Sequence, residues 1–317
     1  MHIFRWDVDK TYLETSFSSF RGLLRTALET AEEKQNVPGS ATLLRSLIAA
    51  NPDCRVTVIS GSPTQMRGVL EEKFAIDGVV IDQLILKDNL RNIRKGRFKA
   101  VTNQIGYKLP ALFQQRRGLG KTVTETLFGD DTEADALIYA LYADALAQRI
   151  DTGQIARVMT AMETPSQTID TTLRALNEAG PGDVVERVFI RIHRGLPIRC
   201  YRKLGPNIIP VFSWFQATLV LFMSERLNAK GVSDTMRACL TSDDMNPTQL
   251  GFLVQDAIRR DLIEPNEFLT RIHKIEELAE LFELVEKGLA DLGNVKSGIP
   301  RQKRDYLGFV KDIQRKH

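Results

Sequence analysis

Short apolar runs alternate with stretches of helical periodicity along the first two thirds of the chain, and this alternation limits the fold more than any other feature. Residues 2–6 read as a strand ending at Asp7, and 55–60 (RVTVIS), 79–86 (VVIDQLIL), 124–129 (TETLFG) and 185–193 (VERVFIRIH) read as four more. Between them, Phe17, Phe20, Leu24, Ala27, Leu28 and Ala31 form a helical stripe, and ATLLRSLIAA follows a potential cap at Ser40. Pro63 suits the first position of another helix. Residues 103–115 and 134–149 are expected to be helical, as are 151–163 and 168–179, which form an insertion at about 150–184 closed by Pro181-Gly182-Asp183. Parallel neighbours need crossover connections, so this alternation predicts an α/β fold with a doubly wound parallel sheet. Beyond about residue 200 the strand signal stops. Helical periodicity in 211–228, 246–261 and 264–290 predicts a division into a core, 1–200, and an α-helical C-terminal region, 201–317.

Composition narrows the function classes. Hydrophobic residues at 43% and charged residues at 26% suit a globular domain rather than a disordered one. A net charge of +3 creates no field that calls for nucleic acid. Two basic runs stand out, Arg91, Arg94, Lys95, Arg97 and Lys99, and Arg301, Lys303, Arg304, Lys311, Arg315 and Lys316. They read either as a solvated face and a loose tail, or as docking sites for an anionic surface. Cys54, Cys200 and Cys239 form neither a metal pattern nor a disulfide framework, which fits a reduced, cytoplasmic setting. MHIFRW lacks the apolar region of a signal peptide. The longest apolar stretch, PVFSWFQATLVLFM from Pro210 to Met223, is shorter than the roughly 20 residues that span a bilayer and is expected to form a buried helix.

The polar residues that end these runs carry the chemistry. Asp7-Val8-Asp9-Lys10-Thr11 follows the first strand directly, and ligands of open α/β sheets sit beyond the carboxyl ends of the strands. A calcium loop is excluded by spacing, because Tyr12 stands where glycine is needed and Ser18 where glutamate is needed. Ser60 and Gly61 end the second strand, where a hydroxyl and backbone N–H groups can hold phosphate oxygens. Gly129-Asp130-Asp131-Thr132-Glu133-Ala134-Asp135 places four acids at the end of the fourth strand, and a cation such as Mg²⁺ relieves their repulsion. An acidic helix start would give the same text. Lys108, in GYKLP, lies on the helix before that strand. Gly118-Leu119-Gly120-Lys121-Thr122 is not a phosphate loop, since Gln115 occupies the position of its first glycine. His193 reads as a strand-end residue without a catalytic task.

The order D-x-D-x-T, Ser, Lys and GD-x-x-x-x-D resembles the haloacid-dehalogenase superfamily. WDVDKT, NVPGSATLLRSL, VISGSPTQM, LILKD, GYKLPALFQ, FGDDTEADALIY and ERVFIRIH make residues 1–193 similar to the actin-patch-protein-type phosphatidate phosphatase catalytic domain. The resemblance implies a haloacid-dehalogenase-like Rossmannoid core with a minimal cap, since about fifty residues separate the first two motifs. It implies Asp7 as nucleophile, forming an aspartyl-phosphate, and Asp9 as general acid/base. Asp7, Asp130 and the Asp9 carbonyl would hold Mg²⁺, and Asp135 would orient a metal-bound water or Lys108, with Asp131 a competing candidate. Ser60, Gly61 and Lys108 would bind phosphate and Thr11 would support the first loop. With Asp9 protonated, the other acids and a phosphate dianion carry about −5, of which Mg²⁺ and Lys108 return about +3. The implied substrate is a bulky phosphomonoester such as phosphatidate, met by a protein that is cytoplasmic or reversibly peripheral at an anionic membrane. A phosphatase of soluble metabolites or phosphoproteins and a non-catalytic membrane-surface scaffold are the alternatives.

Overall fold

The computed structural model describes residues 1–15, 30–87, 97–193, 195–242, 245–283 and 303–316, with the side chains of 97–103 outside that description. The helical stripe expected at 17–31 and the basic run from Arg91 to Lys99 therefore lie largely outside the described residues.

Six strands, β1 (His2–Trp6), β2 (Cys54–Pro63), β3 (Gln83–Lys87), β4 (Thr124–Asp130), β5 (Val185–Arg191) and β6 (Ile208–Val211), form one sheet in the order β3-β2-β1-β4-β5-β6. The β1–β2, β2–β3, β1–β4 and β4–β5 pairs are parallel, as the alternating pattern requires. The chain runs outward from β1 to β3 and then returns to place β4 on the other side of β1. That reversal opens a crevice at the carboxyl ends of β1 and β4, the usual ligand position in such sheets. Trp6 pairs with Phe128 in register, and Asp7 N–H donates to the Phe128 carbonyl at 2.9 Å. The two acidic loops thus leave the sheet side by side.

Stacked aromatics fix the strands beneath them. Trp6 lies on Phe128 with centroids 4.1 Å apart, and Phe128 lies 5.4 Å from Phe189. Helices α1 (Ser40–Ala50), α2 (Arg67–Ile76), α3 (Arg97–Arg116), α4 (Asp135–Leu146), α5 (Thr152–Ala161) and α6 (Ser166–Ala179) fill the connections. Every residue of α4 is buried, which explains why DALIYALYADAL is apolar all round rather than along one stripe. Near the amino ends of the strands, Glu125 is buried between Arg5 at 2.8 Å and Arg116 at 3.0 Å, so these charges are paired.

Two compact units emerge. One comprises Met1–Gln35, Asp53–Pro210 and Arg301–His317, the other Asn36–Pro52 and Val211–Pro300. In the second, α1 packs against α7 (Trp214–Met223) and α8 (Ala229–Leu240), and α9 (Pro247–Arg259) and α10 (Pro265–His273) follow. Asn51 ties α1 to the Arg226 carbonyl at 2.8 Å. This division differs from the expected break at residue 200 in three ways. The apolar run at 210–223 begins in strand β6, because its first residues continue the sheet before Ser213 caps α7. The crossover helix α1 joins the helical unit. Residues 303–316 are no loose tail: α11 (Tyr306–Lys316) buries Tyr306, Phe309, Val310 and Ile313 in the sheet unit. Arg304 and Tyr306 both reach Asp144, and Lys203 pairs with Asp312 at 2.7 Å.

Local differences have local causes. Gly39, not Ser40, caps α1, since the Ser40 N–H is taken by the Val37 carbonyl at 2.9 Å. Val79 and Val80 precede β3, because Asp82 first pairs with the Val56 backbone through its N–H and its carboxylate. Pro63 ends β2 and caps the 3-10 turn Thr64–Met66 instead of opening an α-helix. No helix among the described residues is long and apolar enough to cross a membrane.

Candidate active site

The loop after β1 is held in one shape by its own backbone. The Thr11, Tyr12 and Leu13 N–H groups all turn to the Val8 carbonyl, at 3.3, 2.9 and 2.9 Å, and Lys10 adopts a positive φ of 61°. Arg191, at the end of β5, donates to the Lys10 carbonyl at 3.0 Å and to Glu14 at 3.2 Å. This presents Asp7 and Asp9 from a short, braced segment.

Asp7 is buried, and Thr11 Oγ1 donates to its Oδ2 at 3.2 Å while Lys108 Nζ donates to Oδ1 at 2.7 Å. Lys108 arrives from α3 and is fully buried. It also donates to Asp135 at 2.6 Å and to Glu133 at 3.0 Å. Asp9 lies beside the end of β2, where Ser62 Oγ and Ser60 Oγ donate to its Oδ2 at 3.0 and 3.4 Å. A bulge makes this possible. Ser60 pairs with Leu86 but Pro63 with Lys87, so Gly61 and Ser62 are extra residues that re-aim the strand end. Neither Ser62 nor Glu133 stood among the expected site residues. Ser62 was visible only as the next hydroxyl after Ser60, and Glu133 only as one of four clustered acids.

Asp7, Asp130 and Asp135 bring carboxylate oxygens within 4.8 Å of one another. Asp130 Oδ1 and Asp135 Oδ2 are buried without a hydrogen-bond partner among the described residues. Unpaired buried carboxylate oxygens are costly, and a hard cation with oxygen ligands relieves that cost, so the donor set fits Mg²⁺. Asp131 is directed elsewhere: its Oδ1 accepts the His193 N–H at 3.0 Å, and it is not in the three-carboxylate group. Gly129 admits Asp135, because a Cβ there would stand 2.6 Å from Asp135 Oδ2.

Burial is the largest influence on these acids. It pushes Asp7, Asp130 and Asp135 above the usual carboxylate range, with Lys108 pulling Asp7 and Asp135 back. Asp9 is pushed from 3.8 up to about 6 by burial and then by Glu133, against the hydrogen bond from Ser62. A carboxyl raised in the folded state stabilises the fold when protonated, and that stability is lost as pH rises from the unfolded value through the folded one. Asp9 alone accounts for on the order of 3 kcal/mol across that window. The metal-free protein is therefore expected to melt higher at pH 5 than at pH 7.5. A divalent cation binding the ionised acids should raise the melting temperature by roughly 5 °C at pH 7.5 and by less at pH 5. Thermal melts with and without Mg²⁺ check this, and a melting temperature indifferent to Mg²⁺ at both pH values contradicts it.

Together these groups bring a buried carboxylate at Asp7, a second carboxyl raised to about 6 at Asp9, a buried ammonium and three carboxylates close enough to share a cation to one place beyond the strand ends. Residues 6–156, which contain all of them, match the family model described as phosphatidate phosphatase APP1, catalytic domain. No curated protein and no solved structure matches the chain. The segment that builds this site belongs to the phosphatidate phosphatase APP1 catalytic-domain family, a family of phosphoric monoester hydrolases.

Proposed function

We propose that the protein is a Mg²⁺-dependent phosphomonoesterase that works through an aspartyl-phosphate on Asp7 and acts on phosphatidate at an anionic membrane surface. The observation that carries this reading is the convergence of Asp7, Asp9, Lys108, Asp130 and Asp135 on one crevice at the strand-order reversal.

Asp7 would attack phosphorus as the bond to the leaving oxygen breaks. Asp9, steadied by Ser60 and Ser62, would give its proton to that oxygen. Water would then attack the phosphorus of the aspartyl-phosphate while Asp9 takes its proton, which regenerates both carboxyls and releases inorganic phosphate. Lys108 and the backbone at Gly61 would hold phosphoryl oxygens, and Thr11 would keep Asp7 aimed. Asp7, Asp130 and the Asp9 carbonyl would hold Mg²⁺, with Asp135 behind them, and the ion would supply positive charge that keeps Asp7 ionised and offsets the charge of the transferring group. Asp9 being raised to about 6 supports its carrying the first proton near neutral pH.

Exposed Lys303, Lys311, Arg315 and Lys316 on and before α11 support reversible membrane contact, each contributing roughly 1 kcal/mol near an anionic surface. The test is phosphate release from phosphatidate-containing vesicles, soluble sugar phosphates, nucleotides and phosphopeptides, in Mg²⁺ and in EDTA. Release from phosphatidate that requires Mg²⁺, with vesicle binding that weakens at high salt, is expected. Full activity in EDTA contradicts the metal requirement. Rapid hydrolysis of soluble esters by a protein that ignores the vesicles contradicts the lipid assignment.

A further inference from the structure

An ammonium group has three N–H donors, and Lys108 uses all three, on Asp7 at 2.7 Å, Asp135 at 2.6 Å and Glu133 at 3.0 Å. It can bind a phosphoryl oxygen only if one carboxylate leaves. Asp7 and Asp135 are fully enclosed, whereas Glu133 is 24% exposed and makes the longest of the three contacts. The other oxygen of Glu133 accepts from Gln104 Nε2 at 2.8 Å. Gln104 lies directly over the phosphate-binding turn, since a Cβ on Gly61 would stand 2.2 Å from that same Nε2. Glu133 therefore reaches from the buried lysine to the group covering Gly61 and presents two anionic oxygens between them.

We propose that Glu133 occupies the phosphate-binding position in the resting enzyme, and that substrate phosphate displaces it from Lys108 and Gln104. This rests on the phosphomonoesterase reading and adds a residue that sets affinity. The exchange replaces one anion by another on the same two donors, so neither the third N–H of Lys108 nor the Gln104 amide is left without an acceptor. Gln104 Oε1, buried without a hydrogen-bond partner among the described residues, leaves the carboxamide free to rotate as Glu133 departs.

The test is competitive inhibition of aryl-phosphate turnover by inorganic phosphate in saturating Mg²⁺, for the wild type, Glu133→Gln, Glu133→Ala and Asp131→Asn. Both Glu133 variants are expected to bind inorganic phosphate on the order of tenfold more tightly, with the KM for the aryl ester falling in parallel. Asp131→Asn removes a nearby charge that does not touch Lys108, and its phosphate affinity should change by less than about twofold. Phosphorus NMR titration of the folded variants gives the same affinity where turnover is weak. Unchanged or weaker phosphate binding in both Glu133 variants of an otherwise active enzyme overturns the proposal alone. Equal tightening in Asp131→Asn also overturns it, because a general field effect would then suffice. A wild type that neither releases phosphate from any ester nor binds inorganic phosphate removes the phosphomonoesterase reading as well.

Discussion

Asp7→Asn is expected to lower aryl-phosphate turnover by at least about 10³-fold while the protein stays folded. An amide is a poor nucleophile toward phosphorus, and two neighbouring acids are engaged with other groups. Asp9 is held by Ser60 and Ser62, and Asp135 is tied to Lys108. The fold should survive because an asparagine Oδ1 still accepts from Thr11 or Lys108. Lys108 also retains Asp135 and Glu133. Removing an acid that burial pushes above its usual range should leave stability at neutral pH unchanged or slightly higher. Turnover above about a tenth of wild type, measured beside a thermal melt, would show that Asp7 is not the attacking group.

Lys108→Met should have the largest effect on the fold itself. Lys108 is the cation that contacts Asp7, Asp135 and Glu133 directly, and its own ammonium is held well above the usual lysine range: burial opposes the charge, but Asp135 and Asp7 outweigh it. Taking one partner out of a buried ion cluster typically costs about 3–5 kcal/mol. The cost should shrink as pH falls from 7.5 to 5, because the remaining carboxyls, already raised by burial, take up protons in the folded state. Mg²⁺ should restore part of the loss at pH 7.5. Urea unfolding at the two pH values measures this. A midpoint at pH 7.5 equal to wild type would mean that Lys108 does not compensate these acids.

What could be read in the sequence was what depends on neighbours in the chain. Strand ends followed by Asp7-Val8-Asp9 and by Asp130 to Asp135 were visible because each loop follows its strand directly. The bulge at Gly61 and Ser62 was not, since it exists only in the mismatch between β2 and β3. Strand β6 was hidden inside an apolar run that continues into α7, where periodicity cannot separate four strand residues from a buried helix. In the C-terminal segment, Tyr306, Phe309, Val310 and Ile313 form a helical stripe interleaved with basic residues. Glu133 looked like part of an acidic cluster. Its contact with Lys108, which stands 25 positions earlier, exists only in the folded arrangement. Only the fold distinguishes Asp131 from Asp135: Asp135 comes together with Asp7 and Asp130, whereas Asp131 accepts from the His193 backbone.

Covalent chemistry at Asp7 is tested by trapping the phosphoenzyme. Enzyme mixed with a radiolabelled aryl phosphate and Mg²⁺ should be quenched in acid within a single turnover, then reduced with borohydride and digested for mass spectrometry. An acyl phosphate on Asp7 is expected to give label that hydroxylamine removes and a peptide carrying homoserine at position 7, with neither seen in Asp7→Asn. Turnover that proceeds at the wild-type rate without label, or label on any other residue, rules out Asp7 as the nucleophile.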